Sequence, residues 1–218
     1  MSSHRLAMMP LRPLPSIRRT TIARCVTALA AFATLVACAP RTASEPPARE
    51  PSGGRVQPAA DTAYSVYELA STWRDQQGQE RTLSSLRGRP RLVAMVYTHC
   101  STTCPITVDQ MKRIERESAD VGLVLVSLDP EHDSPHRLAE YARERGLDAA
   151  RWTILTGDQG DVRELAATLG VRYRRISPEE LAHSNTVTLL DGSGTPVYQG
   201  NGPRSDRDIT DALRQIAR

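Results

Sequence analysis

The chain has 218 residues, a formal net charge of +3, 39% hydrophobic residues and only 4% aromatic ones, enough for one ordinary domain with extensions. The positive balance is local: Arg5, Arg12, Arg18, Arg19 and Arg24 fall in residues 1–37, which hold no acid, and without them 23 basic residues face 25 acidic ones. That distribution leaves no footprint for nucleic acid, and the chain shows neither internal repeats nor a Gly-rich phosphate loop.

Residues 1–24 are basic and irregular, and an apolar run follows from Val26 to Ala37. Twelve residues are too few to span a bilayer comfortably and suit the core of a signal peptide. The run ends Leu35-Val36-Ala37-Cys38, which looks like a bacterial lipobox. Residues 1–37 are therefore expected to be removed and Cys38 lipidated; an ordinary signal peptide with an incidental cysteine is the alternative. Arg18-Arg19 could suggest twin-arginine export, but the flanking residues match poorly and the route stays open. Residues 39–63, rich in Pro, Ala, Ser and Gly, could bury no core and read as a flexible tether. The expectation is a lipoprotein of the bacterial periplasm, anchored in the inner or the outer membrane.

A domain over residues 64–218 follows. Thr72 to Arg74 and Glu80 to Leu83 read as short strands about a turn at Gln77-Gly78, and Ser84 to Leu86 as a helical turn. Leu92 to Val96 is apolar and partly β-branched, the composition of a buried strand. A helix is expected from Pro105 to about Ala119, since proline is tolerated at a helix start. Gly122 to Ser127 reads as a second buried strand. Pro135 to Arg145 is a helix that Asp133 would cap and Gly146 would stop. Trp152 to Leu155 reads as a strand, Asp161 to Leu169 as a helix, and Val171 to Ile176 as an extended segment. A hairpin, Thr186 to Leu190 and Pro196 to Tyr198, turns at Asp191 to Gly194, and a helix over Ser205 to Ala217 closes the chain. Alternating strands and helices followed by a hairpin indicate an α/β sandwich.

The chemistry concentrates in Tyr97-Thr98-His99-Cys100-Ser101-Thr102-Thr103-Cys104-Pro105. Two thiols at a strand-to-helix turn have their thiolates favoured by the helix-start amides and dipole. If the i and i+4 positions share a helix face, both sulfurs reach one point. That point could be a disulfide or a soft metal ion. A disulfide would close a very short loop and constrain the unfolded chain little, which makes a purely structural bridge unattractive. Two thiolates alone make a poor closed zinc site, and soft sulfur ligands select Cu(I). Met95 and Met111 have the spacing of core residues.

The string YTHCSTTCP resembles the copper-binding motif of the Sco/SenC family, which assists cytochrome c oxidase assembly, and LDPEHDSP (Leu128 to Pro135) is similar to that family's acidic segment. The resemblance covers about Tyr64 to Arg218. It implies a thioredoxin-like fold, with a central mixed sheet flanked by helices, and copper, as Cu(I) or Cu(II), held by Cys100, Cys104 and His183. It also implies a recipient, the copper-A site of cytochrome c oxidase subunit II or another cuproprotein, and a tethered monomer is the default state. Asp129 would lie near the rim, orienting a ligand or tuning charge, or else serve an Asp-Pro turn. His99, His132 and His136 read as bystanders. Three other readings stay open: a thiol–disulfide reductase that needs the cysteines but not His183, a thiol peroxidase or redox sensor, and a binding module without chemistry.

Overall fold

A computed structural model describes residues 64–202 and 205–216. The apolar leader, Cys38 and the tether lie outside the described residues. In chain order the strands and helices are β1 (Thr72–Asp75), β2 (Glu80–Thr82), β3 (Arg91–Val96), α1 (Thr103–Glu117), β4 (Gly122–Ser127), α2 (Pro135–Arg145), β5 (Trp152–Gly157), α3 (Gln159–Thr168), β6 (Tyr173–Ser177), β7 (Glu180–His183), β8 (Thr186–Leu190), β9 (Pro196–Asn201) and α4 (Ser205–Ile216). Seven strands form one sheet in the order β2-β1-β5-β4-β3-β8-β9, and β6 and β7 form a separate ribbon. Pairing is parallel from β3 to β4 to β5 and antiparallel elsewhere. This mixed sheet flanked by helices is the expected thioredoxin-like arrangement.

The apolar runs in β3 and β4 make them the centre of the sheet, and all six residues of each are buried. Strands covered on both faces read as continuous apolar runs. The β3-α1-β4 and β4-α2-β5 crossovers advance in the same direction, and right-handed crossovers put both helices on one face. The Lys112 ammonium donates to the Arg145 carbonyl, tying α1 to the end of α2, and Arg113 meets Asp206 of α4 at 2.7 Å. Gln199 of β9 bridges the Leu169 carbonyl, after α3, to Thr188 of β8. Trp73, Trp152 and Tyr141 fill the core together with leucines and isoleucines. Met95 and Met111 are buried among them, as their spacing indicates.

Three local expectations are corrected. Helix α1 begins at Thr103, so Cys104 already lies in its first turn. The Thr102 side chain makes no capping bond; the Cys100 sulfur accepts from the Cys104 amide instead. The cap of α2 is Ser134, whose hydroxyl accepts from the Arg137 amide, and not Asp133. Asp133 turns inward because β3 and β4 end in donors that need a buried acceptor. It takes the Thr98 amide at 3.1 Å, the Thr98 hydroxyl at 2.6 Å and the Ser127 hydroxyl at 2.6 Å. Finally, Glu180–His183 forms a strand that its short, mostly exposed sequence did not announce.

The two adjacent residues should therefore respond differently to truncation. Ser134→Ala removes one cap bond and is expected to cost about 1 kcal/mol. Asp133→Ala leaves three buried donors unpaired and is expected to cost roughly 3 kcal/mol. Denaturant midpoints of the two variants, at unchanged slope, check the difference.

Candidate metal centre

The site lies beyond the carboxyl ends of β3 and β4, where open α/β sheets leave a crevice. After Val96 the chain turns, with the Cys100 amide donating to the Tyr97 carbonyl at 3.2 Å. Asp133 grips Thr98 and Arg137 donates to the Thr98 hydroxyl at 3.2 Å, so the approach to Cys100 is held from β4 and α2 together. Cys100 precedes the helix and Cys104 is inside it. Their convergence thus comes from the turn, with the Cys104 amide 3.4 Å from the Cys100 sulfur, and not from a shared helix face.

His183, 79 residues beyond Cys104 in sequence, ends β7. Its Nε2 stands 3.3 Å from the Cys104 sulfur, and its Nδ1 lies 3.2 Å from the Ser184 carbonyl. A proton on Nδ1 satisfies that carbonyl and leaves the Nε2 lone pair facing the thiols. The donor atoms of Cys100, Cys104 and His183 all lie within 4.8 Å of one another, and no other His, Cys, Asp or Glu joins them among the described residues. Two sulfurs and one imidazole suit a soft ion of low coordination number better than a four-ligand structural zinc. Both cysteines are free thiols, so the ligand set is available.

The two thiols differ. Burial works to raise the Cys100 pKa. The Cys104 amide and thiol and the amides of Thr102 and Thr103 outweigh it and bring the group down to about 5. Cys104 is 0% exposed, and burial, followed by its contact with Cys100, pushes its thiol well above the ordinary value. Tyr97 is raised to about 12 by burial and by the Cys100 sulfur, and so stays a hydrogen-bond donor.

Asp129 is fully buried, but among the described residues its carboxylate bonds none of the three converging donors. Its Oδ1 accepts from Arg175 at 2.6 Å, and its Oδ2 lies 2.9 Å from His132 and 3.6 Å from His99. Burial would raise its pKa, but Arg175 and His132 hold it below the usual carboxylate range. Asp129, Glu131 and His132 also bring donor atoms within 4.8 Å of one another. The Arg175 guanidinium already ion-pairs with the central carboxylate of this second group, which makes it a poorer cation site than the thiols and imidazole. His99 packs edge-on against Tyr97 and His132. His136 is exposed and faces Glu140 at 3.7 Å.

Sequence reasoning gave Tyr97 no role of its own, assigned Asp133 to the cap of α2 and did not single out Arg175. Tyr97 has a ring between His99 and His183 and donates its hydroxyl to the Leu181 carbonyl at 3.2 Å. A tyrosine three residues before the first cysteine was a visible signal; the ribbon partner of Asp129 was not.

A buried dithiol and an imidazole at the end of a thioredoxin-like sheet define a thiol-based metal or redox protein. The SCO1/SenC family model matches residues 58–218, and the chain belongs to that family. Among its relatives is the SCO1 protein homolog of Bacillus subtilis, 28% identical over 138 residues, covering 60% of this chain and 72% of that protein. A solved Sco structure described as revealing a disulfide switch, from a member of the Sco family of cytochrome c oxidase assembly proteins, is 27% identical. It has a TM-score of 0.59 and covers 72% of this chain and 96% of the other. ScoI of Arabidopsis thaliana, solved with copper bound, is 23% identical with a TM-score of 0.59, covering 66% of this chain and 96% of the other.

The asymmetry of the thiols gives a pH signature in the reduced, metal-free protein. Cys100 should react with a small alkylating reagent with a midpoint near pH 5, while Cys104 stays unlabelled at pH 7. Mass spectrometry of the labelled peptides reads both. Because Cys100 is depressed from 9.0 to about 5, its contribution to folding is present above pH 9 and is lost as pH falls from 9 towards 5.

Proposed function

We propose that this chain binds one copper ion through Cys100, Cys104 and His183 and hands it to a copper site of cytochrome c oxidase. The observation that carries the reading is the convergence of two thiols and an imidazole, brought from 79 residues away to 3.3 Å from Cys104. Thiolates select Cu(I), and an added imidazole also accommodates Cu(II). The copper held by the Arabidopsis ScoI structure supports the choice of ion, and membership of the family supports oxidase assembly as the context. The proposed recipient is the copper-A centre of subunit II. The proposed location is the periplasmic side of a bacterial membrane, with Cys38 lipidated and residues 39–63 giving reach.

A second reading has a specific observation in its favour. Cys100 is poised as a thiolate beside a buried thiol, the arrangement of a dithiol reductant that keeps another protein's cysteines ready for copper. It needs the two cysteines and not His183.

Titration of the reduced chain with Cu(I) is expected to give one copper per chain. Oxidation to Cu(II) is expected to give thiolate-to-copper charge-transfer absorption, lost or strongly altered in His183→Ala. Because the ligands must be deprotonated, binding should weaken progressively in acid. Absence of stoichiometric copper with both thiols reduced rejects the copper reading. Full function of His183→Ala in oxidase assembly assigns the role to the dithiol alone.

A further inference from the structure

His183 rides on a ribbon that makes no ladder with the seven-stranded sheet. β6 and β7 pair only with each other, and the register is irregular between Arg175 and Ser177. An isolated two-stranded ribbon is marginal in water. This one buries little: within its strands Leu181, 5% exposed, is the buried residue.

Side chains therefore hold the ribbon down. Arg175 meets Asp129, which follows β4, and the Gln159 amide at the start of α3 donates to the Tyr173 hydroxyl at 2.9 Å. Both of these reach β6. The Tyr97 hydroxyl reaches β7, at the carbonyl of Leu181, two residues before His183 on the same strand. Tyr97 is itself buried, so water competes little for that bond. Its ring also meets the His183 ring edge-on, with centroids 5.7 Å apart and planes at 77°.

Resting on the copper reading above, we propose that Tyr97 is a positioning residue for His183, its hydroxyl latching β7 so that the imidazole stands beside Cys104 before metal arrives. Tyr97 acts on His183 through the Leu181 carbonyl and is not itself a metal ligand, and its hydroxyl also neighbours the Cys100 sulfur. The strand end that leads into Cys100 thereby also places the ligand that comes from the far end of the sequence. A phenyl ring at position 97 would keep the packing and lose the bond.

The test is Tyr97→Phe in the full-length chain. In the metal-free protein, amide hydrogen exchange of residues 180–183 is expected to speed roughly tenfold, as for loss of one hydrogen bond. Exchange in β3 and β4 stays at the wild-type rate. The nitrogen-15 signals of His183 should lose their single-tautomer pattern. In the copper form, imidazole nitrogen coupling to Cu(II) weakens, the charge-transfer absorption shifts and the Cu(I) dissociation constant rises roughly tenfold. Unchanged exchange in β7 overturns the proposal, as does an equal rise across β3 and β4. A copper spectrum identical to wild type despite faster β7 exchange also overturns it. If wild type takes up no copper, the copper reading fails on that result. The metal-free exchange and imidazole signals then uphold or overturn the latch on their own.

Discussion

Asp133 is the constraint on which the site depends. Two parallel strands, β3 and β4, end side by side, and each ends in donors that their ladder cannot satisfy. A single buried carboxylate accepts from Thr98 and from Ser127 and closes both ends at once. The turn carrying Cys100 starts from that fixed point, and α2, which begins two residues after Asp133, reaches back through Arg137 to the same Thr98 hydroxyl. A charge taken out of water is tolerated only when its lone pairs are met, and this geometry meets them.

The asymmetry of the dithiol follows from the same turn. Cys100 sits ahead of the helix, where backbone amides at the helix start point at its sulfur. Cys104 lies in the first turn of the helix and under the surface, and its sulfur looks towards His183. One sulfur is held as a thiolate at neutral pH and the other keeps its proton, which a bound metal would have to displace. Such a pair can either capture a soft cation or exchange with a disulfide, which is why the sequence alone left both chemistries open. The imidazole is the group whose removal would distinguish them, because thiol exchange has no need of it.

Much of the fold was legible because its signals are local. β4 has the bounds its apolar run indicated, Gly146 takes the left-handed conformation that stops α2, and the Asp191 to Gly194 turn closes the hairpin. The errors were local competitions that tertiary contacts decided. Asp133 is as good a cap as Ser134 by propensity, but a buried demand for an acceptor drew it inward and left the cap to its neighbour. The β6–β7 ribbon was illegible as a pair because its strands are short and almost wholly exposed, so no alternation of burial marks them.

By itself the sequence indicated an α/β chain of alternating strands and helices and placed two cysteines at the end of a buried strand, signals of composition, periodicity and spacing that act between near neighbours. The mixed sheet and the family came with the resemblance carried by YTHCSTTCP and LDPEHDSP. Only the tertiary structure decided that His183 comes within reach of Cys104, that Asp129 is engaged by Arg175, and that Tyr97 ties β3 to the ribbon. Each of those contacts joins residues 46 or more positions apart. No local pattern encodes such a pairing, since it is set by how the sheet and the ribbon pack around the end of β3.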